Sequence, residues 1–469
     1  MSPSLLPPSP APTDFIPELN RRGLFHQATD EAGLSAHLSG ARRRFYVGFD
    51  PTADSLTIGN LVPIILLRHA QLAGHQPVVV MGGGTGYIGD PSGKSAEREL
   101  MSPEKIEANV NSQRRIFGRV LDCSASSPNA AIIVNNYDWL SKISYLEALR
   151  DIGKHFSVNM MIQKDSVRDR LHTRDQGISY TEFSYMLLQA YDFLHLYKQQ
   201  GVTVQMGGSD QWGNILGGVD LIRRVEYWEP MNAQAAINRA QEGVAPGQPI
   251  GVAEVESGKA FALTAPLVTK SDGGKFGKSE SGAVWLTAER TSPYAFYQFW
   301  LNSADDDAVR WLKFFTFLTV EAADEVIAAH TADPAARAAQ RALARHMTEL
   351  LHGTDEMQHA EAAAAALFSG QISTLPERTL LDALEGAPTT THPKAALEGE
   401  GLSLLDLLPQ TQSLAKSKTE ARKLLAEGSV SINGSKASAD HRLTTTDLLH
   451  GSIIALRRGK KAWHVTRWE

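Results

Sequence analysis

Two apolar runs that end in glycine or acidic turns restrict the fold more than any other feature of the chain. Gln76–Met81 (QPVVVM) is continuously apolar, as strands buried on both faces of a parallel sheet are. It runs into Gly82-Gly83-Gly84-Thr85-Gly86. Arg44–Phe49 (RFYVGF) is aromatic and β-branched and ends in Asp50-Pro51-Thr52, with an apolar helix expected from about 59 to 73. Residues 131–134 (AIIV) and 202–206 (VTVQM) read as a third and a fourth strand, each followed by a polar or glycine turn. Strands alternating with helical stretches predict an α/β domain with a parallel sheet and ligands at the carboxyl ends of its strands.

A chain of 469 residues exceeds what one core usually serves, so two or three domains are expected. The single cysteine, Cys123, excludes an intrachain disulfide and a cysteine-cluster zinc site, and no metal ligands are assigned. The net charge of −6 conceals a polarised chain. Residues 411–469 hold eleven Lys/Arg against five Asp/Glu, a net +6, which leaves −12 for the first 410 residues. An acidic body with a basic tail points to a polyanionic partner.

Residues 1–20, proline-rich and without a signal-peptide pattern, read as a loose extension. No stretch approaches the roughly 18 apolar residues of a membrane span, and a cytoplasmic protein is expected. The expected domains are 21–265, 266–386 and 411–469, with a glycine- and proline-marked linker at 387–410. Residues 229–257 look like a surface insertion, and 145–174 like a helical insertion or an oligomer surface. Asp333-Pro334 is expected to open an alanine-rich helix, with Asp at N-cap and Pro at N1.

Four strings carry chemistry. In YVGFDPTADSLTIGN (46–60), Gly48 and Gly59 permit close backbone approach, and a nucleotide phosphate could meet the free amides of the following helix. The same string could equally be a tight capped turn. GGGTGYIGDPSGKS (82–95) ends like a phosphate loop, but Ile88 stands where that loop needs glycine, so an NTPase loop is rejected. What remains is a glycine-dense turn with one acid, Asp90. Tyr185, Gln189 and Asp192 are spaced four and three apart, so one helical face presents a phenol, an amide and a carboxylate to a small polar ligand, or to solvent. Beyond them GGSDQWGN (207–214) follows the fourth strand and suits ribose hydroxyls. KFGKS (275–279) places two lysines three apart on a glycine-rich loop, suited to a triphosphate or to a solvated turn.

In combination, GFDPTADSL, GDPSGKS, SYTEFSYMLLQAYDF, GGSDQWGNI and KFGKS, in this order, resemble the class I aminoacyl-tRNA synthetases, specifically their bacterial-type tyrosyl branch. The resemblance implies a Rossmann-like catalytic domain, a helical middle domain and a small α+β C-terminal domain. Thr57-Ile58-Gly59-Asn60 stands for the HIGH signature and Lys275 to Ser279 for KMSKS, with both signature histidines replaced. Tyr46 and Asp192 would hold the tyrosine phenol, penalising phenylalanine by leaving polar groups unpaired. Asp90, Tyr185 and Gln189 would grip the α-ammonium, with Gln205 and Gln211 either toward the carboxylate or supporting the residues that touch the ligand. Gly48, Asp50, Gly59, Asn60, Gly208 and Asp210 would cradle ATP. Thr52, Lys94, Lys275 and Lys278 would bear on the phosphates, and Thr57 would offer a hydroxyl to the γ-phosphate. Magnesium would enter with ATP.

In the tail, Ser417 and Glu420 form a capping-box pattern, Gly428 stops the helix, Val430–Ile432 precedes an Asn433-Gly434 turn, and 452–468 forms a hairpin. This is similar to the S4-type RNA-binding domain of these synthetases. Lys418, Arg422 and Lys423 on the helix, with Arg457, Arg458, Lys460 and Lys461 at the hairpin turn, would meet tRNA phosphates. The resemblance also implies a homodimer with its interface near 140–175. Two other readings compete: the sister tryptophan enzyme, against which Tyr46 with Asp192 argues, and a noncatalytic RNA-binding protein on a synthetase scaffold. Asp90, Asp210, Lys275 and Lys278 speak against the second.

Overall fold

The computed structural model describes residues 15–89, 101–163, 167–168, 178–242, 260–274, 276–279, 282–438, 440–459 and 462–469. The chain divides into two compact units: 1–286 with 309–333, and 287–308 with 334–469.

The first unit opens with α1 (Phe15–Arg22), where burial of Phe15, Ile16 and Leu19 makes helix of residues 15–20 expected in the loose extension; β1 (Gln27–Ala28) and α2 (Glu31–Gly40) follow, and the chain then alternates as expected. β2 (Arg44–Phe49), α3 (Leu61–Leu72), β3 (Gln76–Met81), α4 (Pro103–Val120), β4 (Ile132–Asn135), α5 (Tyr180–Gln200), β5 (Val202–Gly208), α6 (Trp212–Glu242) and β6 (Phe261–Ala265) follow. The sheet order is β1-β6-β5-β2-β3-β4, parallel except for the antiparallel edge strand β1. From β2 the chain builds outward through β3 and β4, then returns to the other side of β2 with β5. That reversal is a topological switch point, where the carboxyl ends of β2 and β5 part and leave a crevice. Val78, Val79, Val80 and Met81 are all buried, which explains the unbroken apolar run in β3. Tyr46, Val78, Val80 and Trp139 pack with Phe193 of α5 and Ile215, Val219 and Ile222 of α6 in one core.

Residues 229–242, expected as part of an insertion, continue α6 as helix; residues 243–257 lie outside those described. Within 145–174, short helical turns run at Tyr145–Glu147, Ala148–Ile152, Gly153–His155 and Val158–Ile162. β7 (Lys278–Ser279), at the end of KFGKS, then pairs antiparallel with β8 (Gly282–Ala283).

The rest of the chain is helical and then mixed: α7 (Pro293–Leu301), α8 (Asp305–Phe315), α9 (Val320–Ala332), α10 (Ala338–His352), α11 (Thr354–Ser369) and α12 (Glu377–Ala383). The expected helix start at Asp333-Pro334 is not what forms. Asp333 ends α9, Pro334–Ala336 makes a single 3-10 turn, and Arg337 adopts a left-handed φ of 54° before α10 begins. Its guanidinium donates to the carbonyls of Leu301 (2.6 Å) and Ser303 (3.4 Å), so tertiary anchoring overrides the Asp-Pro signal.

β9 (Thr389–His392), β10 (Leu402–Ser403), α13 (Lys418–Ala426), β11 (Val430–Ile432), β12 (Ser435–Lys436), β13 (Arg442–Leu443), β14 (Ile453–Arg458) and β15 (Ala462–Trp468) complete the second unit. The stretch expected as a linker thus contributes β9, which pairs in parallel with β15 at the edge of a sheet ordered β12-β11-β14-β15-β9. Leu404, Leu407 and Leu408, also from that stretch, are buried against Leu424, Ile454 and Trp468. The Asn433-Gly434 turn has positive φ at both residues (49° and 89°), as a type I′ hairpin demands. Ser417 accepts from the Glu420 amide at 3.2 Å, but the Glu420 carboxylate reaches back to Lys416 N (2.8 Å) instead of Ser417 N.

Candidate active site at the switch point

A cavity of about 440 Å³ occupies the crevice at the carboxyl ends of β2 and β5. Tyr46, Gly48, Asp50, Thr52, Gly59, Asn60, Tyr185, Gln189, Asp192, Gln205, Gly208, Asp210 and Gln211 all line it, so thirteen of the expected residues converge. Asp90, Lys94 and Lys275 lie outside the described residues, and for Lys278 only the strand it occupies is described.

Two of the lining residues are a buried phenol and, near it, a buried carboxylate. Tyr46 projects from the middle of β2 and is 1% exposed, and Asp192 projects from α5 at 4%. Burial pushes the Asp192 carboxyl up to about 7, against the opposing pull of donors from Asn136 and Trp139. Burial, then the nearby Asp192, drives the Tyr46 phenol well above 10, so it stays protonated. The Tyr46 hydroxyl and the amide oxygens of Gln189 and Gln205 are buried without a hydrogen-bond partner among the described residues. An unmatched buried polar group costs about 1–3 kcal/mol, and three around one cavity mark a place where a polar ligand completes the set.

Three residues that sequence reasoning missed link this carboxylate to its surroundings. Asn136 donates Nδ2 to Asp192 Oδ2 (2.9 Å) and Thr85 Oγ1 (3.1 Å) while its Oδ1 accepts from Gly84 N (2.6 Å). Trp139 Nε1 donates to Asp192 Oδ1 (2.7 Å). Thr85 Oγ1 donates to Asp50 Oδ1 (2.9 Å), and the Tyr185 hydroxyl donates to Asp50 Oδ2 (3.1 Å). Asp192 and Asp50 are therefore held in one network. A signal for Asn136 existed: it follows the end of β4, at the same sheet edge as Gly82 and Asp50.

The first signature replaces its histidines with a self-contained pair. Thr57 N and Thr57 Oγ1 both donate to Asn60 Oδ1, at 3.0 and 2.9 Å. The backbone donor fixes the amide's orientation, so Asn60 Nδ2 remains as a donor at the cavity wall. Thr57 itself does not line the cavity and directs its hydroxyl to Asn60, not outward.

A second cavity, about 770 Å³, lies behind Trp139, whose ring stacks on His195 at 4.6 Å. Near it Tyr145, Leu146, Val158 and Met160 are each more than half exposed, an apolar concentration that single surface residues do not explain.

In the second unit, Arg458 donates to Glu420 Oε1 (3.1 Å), which sets the start of α13 beside the hairpin turn and groups Arg458 with Lys418, Arg422 and Lys423. Lys418 pairs with Asp406 at 2.5 Å, Lys423 with Glu427 at 3.9 Å, and Arg422 is exposed. Arg457 departs from the expectation. Its guanidinium donates to Leu367 O (3.1 Å) near the end of α11 and lies over the Trp463 ring (4.9 Å), so it anchors the sheet within its unit. Lys460 and Lys461 lie outside the described residues.

Residues 39–369 match the family described as tRNA synthetases class I (W and Y), and residues 383–466 match the tyrosine–tRNA ligase SYY-like C-terminal domain. Fold and site together define a class I aminoacyl-tRNA synthetase. The tyrosine–tRNA ligase of Roseiflexus castenholzii is 44% identical over 456 residues, covering 97% of this chain and 99% of its own. That of Dechloromonas aromatica is 46% identical over 457 residues, with the same coverage. The C-terminally truncated mitochondrial tyrosyl-tRNA synthetase of Aspergillus nidulans superposes with a TM-score of 0.63 at 30% identity, covering 76% of this chain and 94% of that one. The chain belongs to the tyrosine–tRNA ligase family.

Proposed function

We propose that the chain activates L-tyrosine with ATP to tyrosyl-adenylate and pyrophosphate, then transfers the tyrosyl group to the 3′ end of tRNA(Tyr). One observation carries the choice of amino acid: a buried phenol, without a hydrogen-bond partner among the described residues, lies near a buried carboxylate in the crevice. A substrate phenol supplies both a donor and an acceptor there, whereas phenylalanine leaves the Tyr46 hydroxyl unmatched and tryptophan presents no hydroxyl.

The tyrosine carboxylate is already a nucleophile, so the reaction needs positioning and charge stabilisation more than acid–base groups. Tyr46 and Asp192 orient the ring; Tyr185, Gln189 and Asp90 hold the ammonium; Gln205 and Gln211 face the carboxylate. Gly48, Asp50, Gly59, Gly208 and Asp210 receive the nucleotide. Asn60 Nδ2, Thr52, Lys94, Lys275 and Lys278 meet the charge that develops as pyrophosphate leaves. Thr57 acts through Asn60 by holding its amide. Magnesium arrives as part of the ATP substrate.

Lys418, Arg422, Lys423 and Arg458, with Lys460 and Lys461, form the phosphate-binding face for tRNA. Two copies assemble through the exposed apolar surface around Tyr145, Leu146, Val158 and Met160, and the enzyme works in the cytoplasm. Leu146→Asp should shift the protein to a monomer in light scattering, and an unchanged mass would reject that surface. Tyrosine-dependent ATP–pyrophosphate exchange tests the reaction itself; exchange driven by tryptophan, or by no amino acid, overturns it.

A further inference from the structure

Among the described residues, the loop that carries the second signature rests on α8 at two places. Ahead of the signature, Arg310 donates to the carbonyl of Thr269. Within it, the Phe276 ring stacks on Phe315 (5.3 Å, 15°) and meets Trp311 edge-on (5.0 Å, 70°). Phe276 also lines the cavity, so this aromatic seat borders the site.

Beyond Phe276 the loop lies against the first signature. Gly277 has a φ of 81°, and a Cβ there would come within 2.7 Å of Ile58 Cγ2. Gly277 O accepts from Val284 N (3.0 Å), and Val284 O accepts from Ile58 N (2.9 Å). Glycine is required twice at this position, by conformation and by clearance. The seat under Phe276 therefore sets how closely the lysine-bearing segment meets Ile58-Gly59-Asn60.

The position of α8 is in turn fixed at its carboxyl end. The last carbonyls of a helix lack partners of their own. Here one guanidinium gathers that end and the chain leaving it: Arg22 donates to Lys313 O (3.2 Å), Thr316 O (3.0 Å) and Leu318 O (2.6 Å). Arg22 is 6% exposed and held from α1 by Glu18 Oε1 at 2.7 Å. The planar fork of arginine matches three carbonyls in a way that the single ammonium of lysine does not.

We propose that Arg22 is a positioning residue for the lysine loop, acting through the carboxyl end of α8 and the Trp311–Phe315 seat of Phe276. The inference rests on the activation reaction proposed above, and wild-type exchange separates the two. If the wild-type protein shows no tyrosine-dependent exchange, the reaction is wrong; if it does, the variants decide the role of Arg22.

The test is pyrophosphate-exchange kinetics of Arg22→Gln, Phe276→Leu and the double variant, with ATP and tyrosine varied separately. Misplacing phosphate-binding groups by about 1 Å costs roughly 10- to 100-fold. Arg22→Gln should lower kcat/KM for ATP by about that factor while KM for tyrosine stays within about twofold. The double variant should be no worse than Phe276→Leu alone, because both changes release the same seat. Equal losses in the ATP and tyrosine parameters, or effects that multiply in the double variant, overturn the proposal. If Arg22→Gln does not fold, Arg22→Lys and Trp311→Phe take its place in the same cycle, with the same criteria.

Discussion

Replacing Tyr46 by phenylalanine removes one oxygen and leaves the ring that packs 5.2 Å from Phe193. Among the described residues that oxygen is buried without a hydrogen-bond partner, which costs on the order of 1–3 kcal/mol. The variant should therefore unfold at higher temperature or urea concentration than the wild type, by on the order of 1 kcal/mol. With tyrosine bound the same oxygen makes a hydrogen bond, whose loss is a net of roughly 0.5–1.5 kcal/mol. That corresponds to about a 2- to 13-fold fall in kcat/KM for tyrosine in pyrophosphate exchange, with KM for ATP unchanged. Discrimination against phenylalanine should fall by a similar factor, because phenylalanine no longer strands the hydroxyl. Unfolding curves and exchange kinetics on one preparation measure both halves. A Tyr46→Phe protein that is less stable without ligand, or that keeps the wild-type tyrosine-to-phenylalanine ratio, refutes the reasoning.

Asn136→Ala removes a donor that favours the ionised form of Asp192, whose carboxyl burial already lifts to about 7. The acidic limb of kcat/KM for tyrosine should move to higher pH, and a limb that stays in place contradicts the assignment. His464 lies buried between Ser413 (2.7 Å) and Thr390 (3.0 Å), and burial lowers it to about 4. Below about pH 6.5 the unfolded state binds the extra proton, so His464 costs no stability above that pH and lowers stability progressively as pH falls toward 4. Urea unfolding of the protein across this pH range should show that slope, and His464→Gln should flatten it. Reversing Arg422 and Lys423 to glutamate should leave exchange intact, depress tRNA charging and reduce its salt dependence; unchanged charging would remove these residues from the RNA face.

Strand edges and the helical face were legible because they depend on local periodicity. Arg44–Phe49 and Gln76–Met81 form strands with the expected bounds, and α5 carries Tyr185, Gln189 and Asp192 on the face their spacing predicted. What stayed hidden depends on distant partners. Asn136 and Trp139 matter because Asp192, more than fifty residues away, folds against them. Arg337 breaks the Asp333-Pro334 helix start because carbonyls at 301 and 303 hold it. Thr389–His392 becomes a strand only beside β15, and Arg457 looks like an RNA contact until Leu367 and Trp463 are seen around it. The Thr57–Asn60 pair is local, yet spacing alone does not distinguish two polar side chains that each meet a phosphate from two that bond each other.

The most direct test of the whole account is ATP–pyrophosphate exchange with tyrosine, phenylalanine and tryptophan offered singly to the wild-type protein and to Asp192→Asn. Exchange is expected with tyrosine alone, with a large loss of it in the variant. Exchange supported equally by phenylalanine or tryptophan, or an Asp192→Asn protein that activates tyrosine like the wild type, would contradict the claim that the buried phenol–carboxylate pair chooses the substrate.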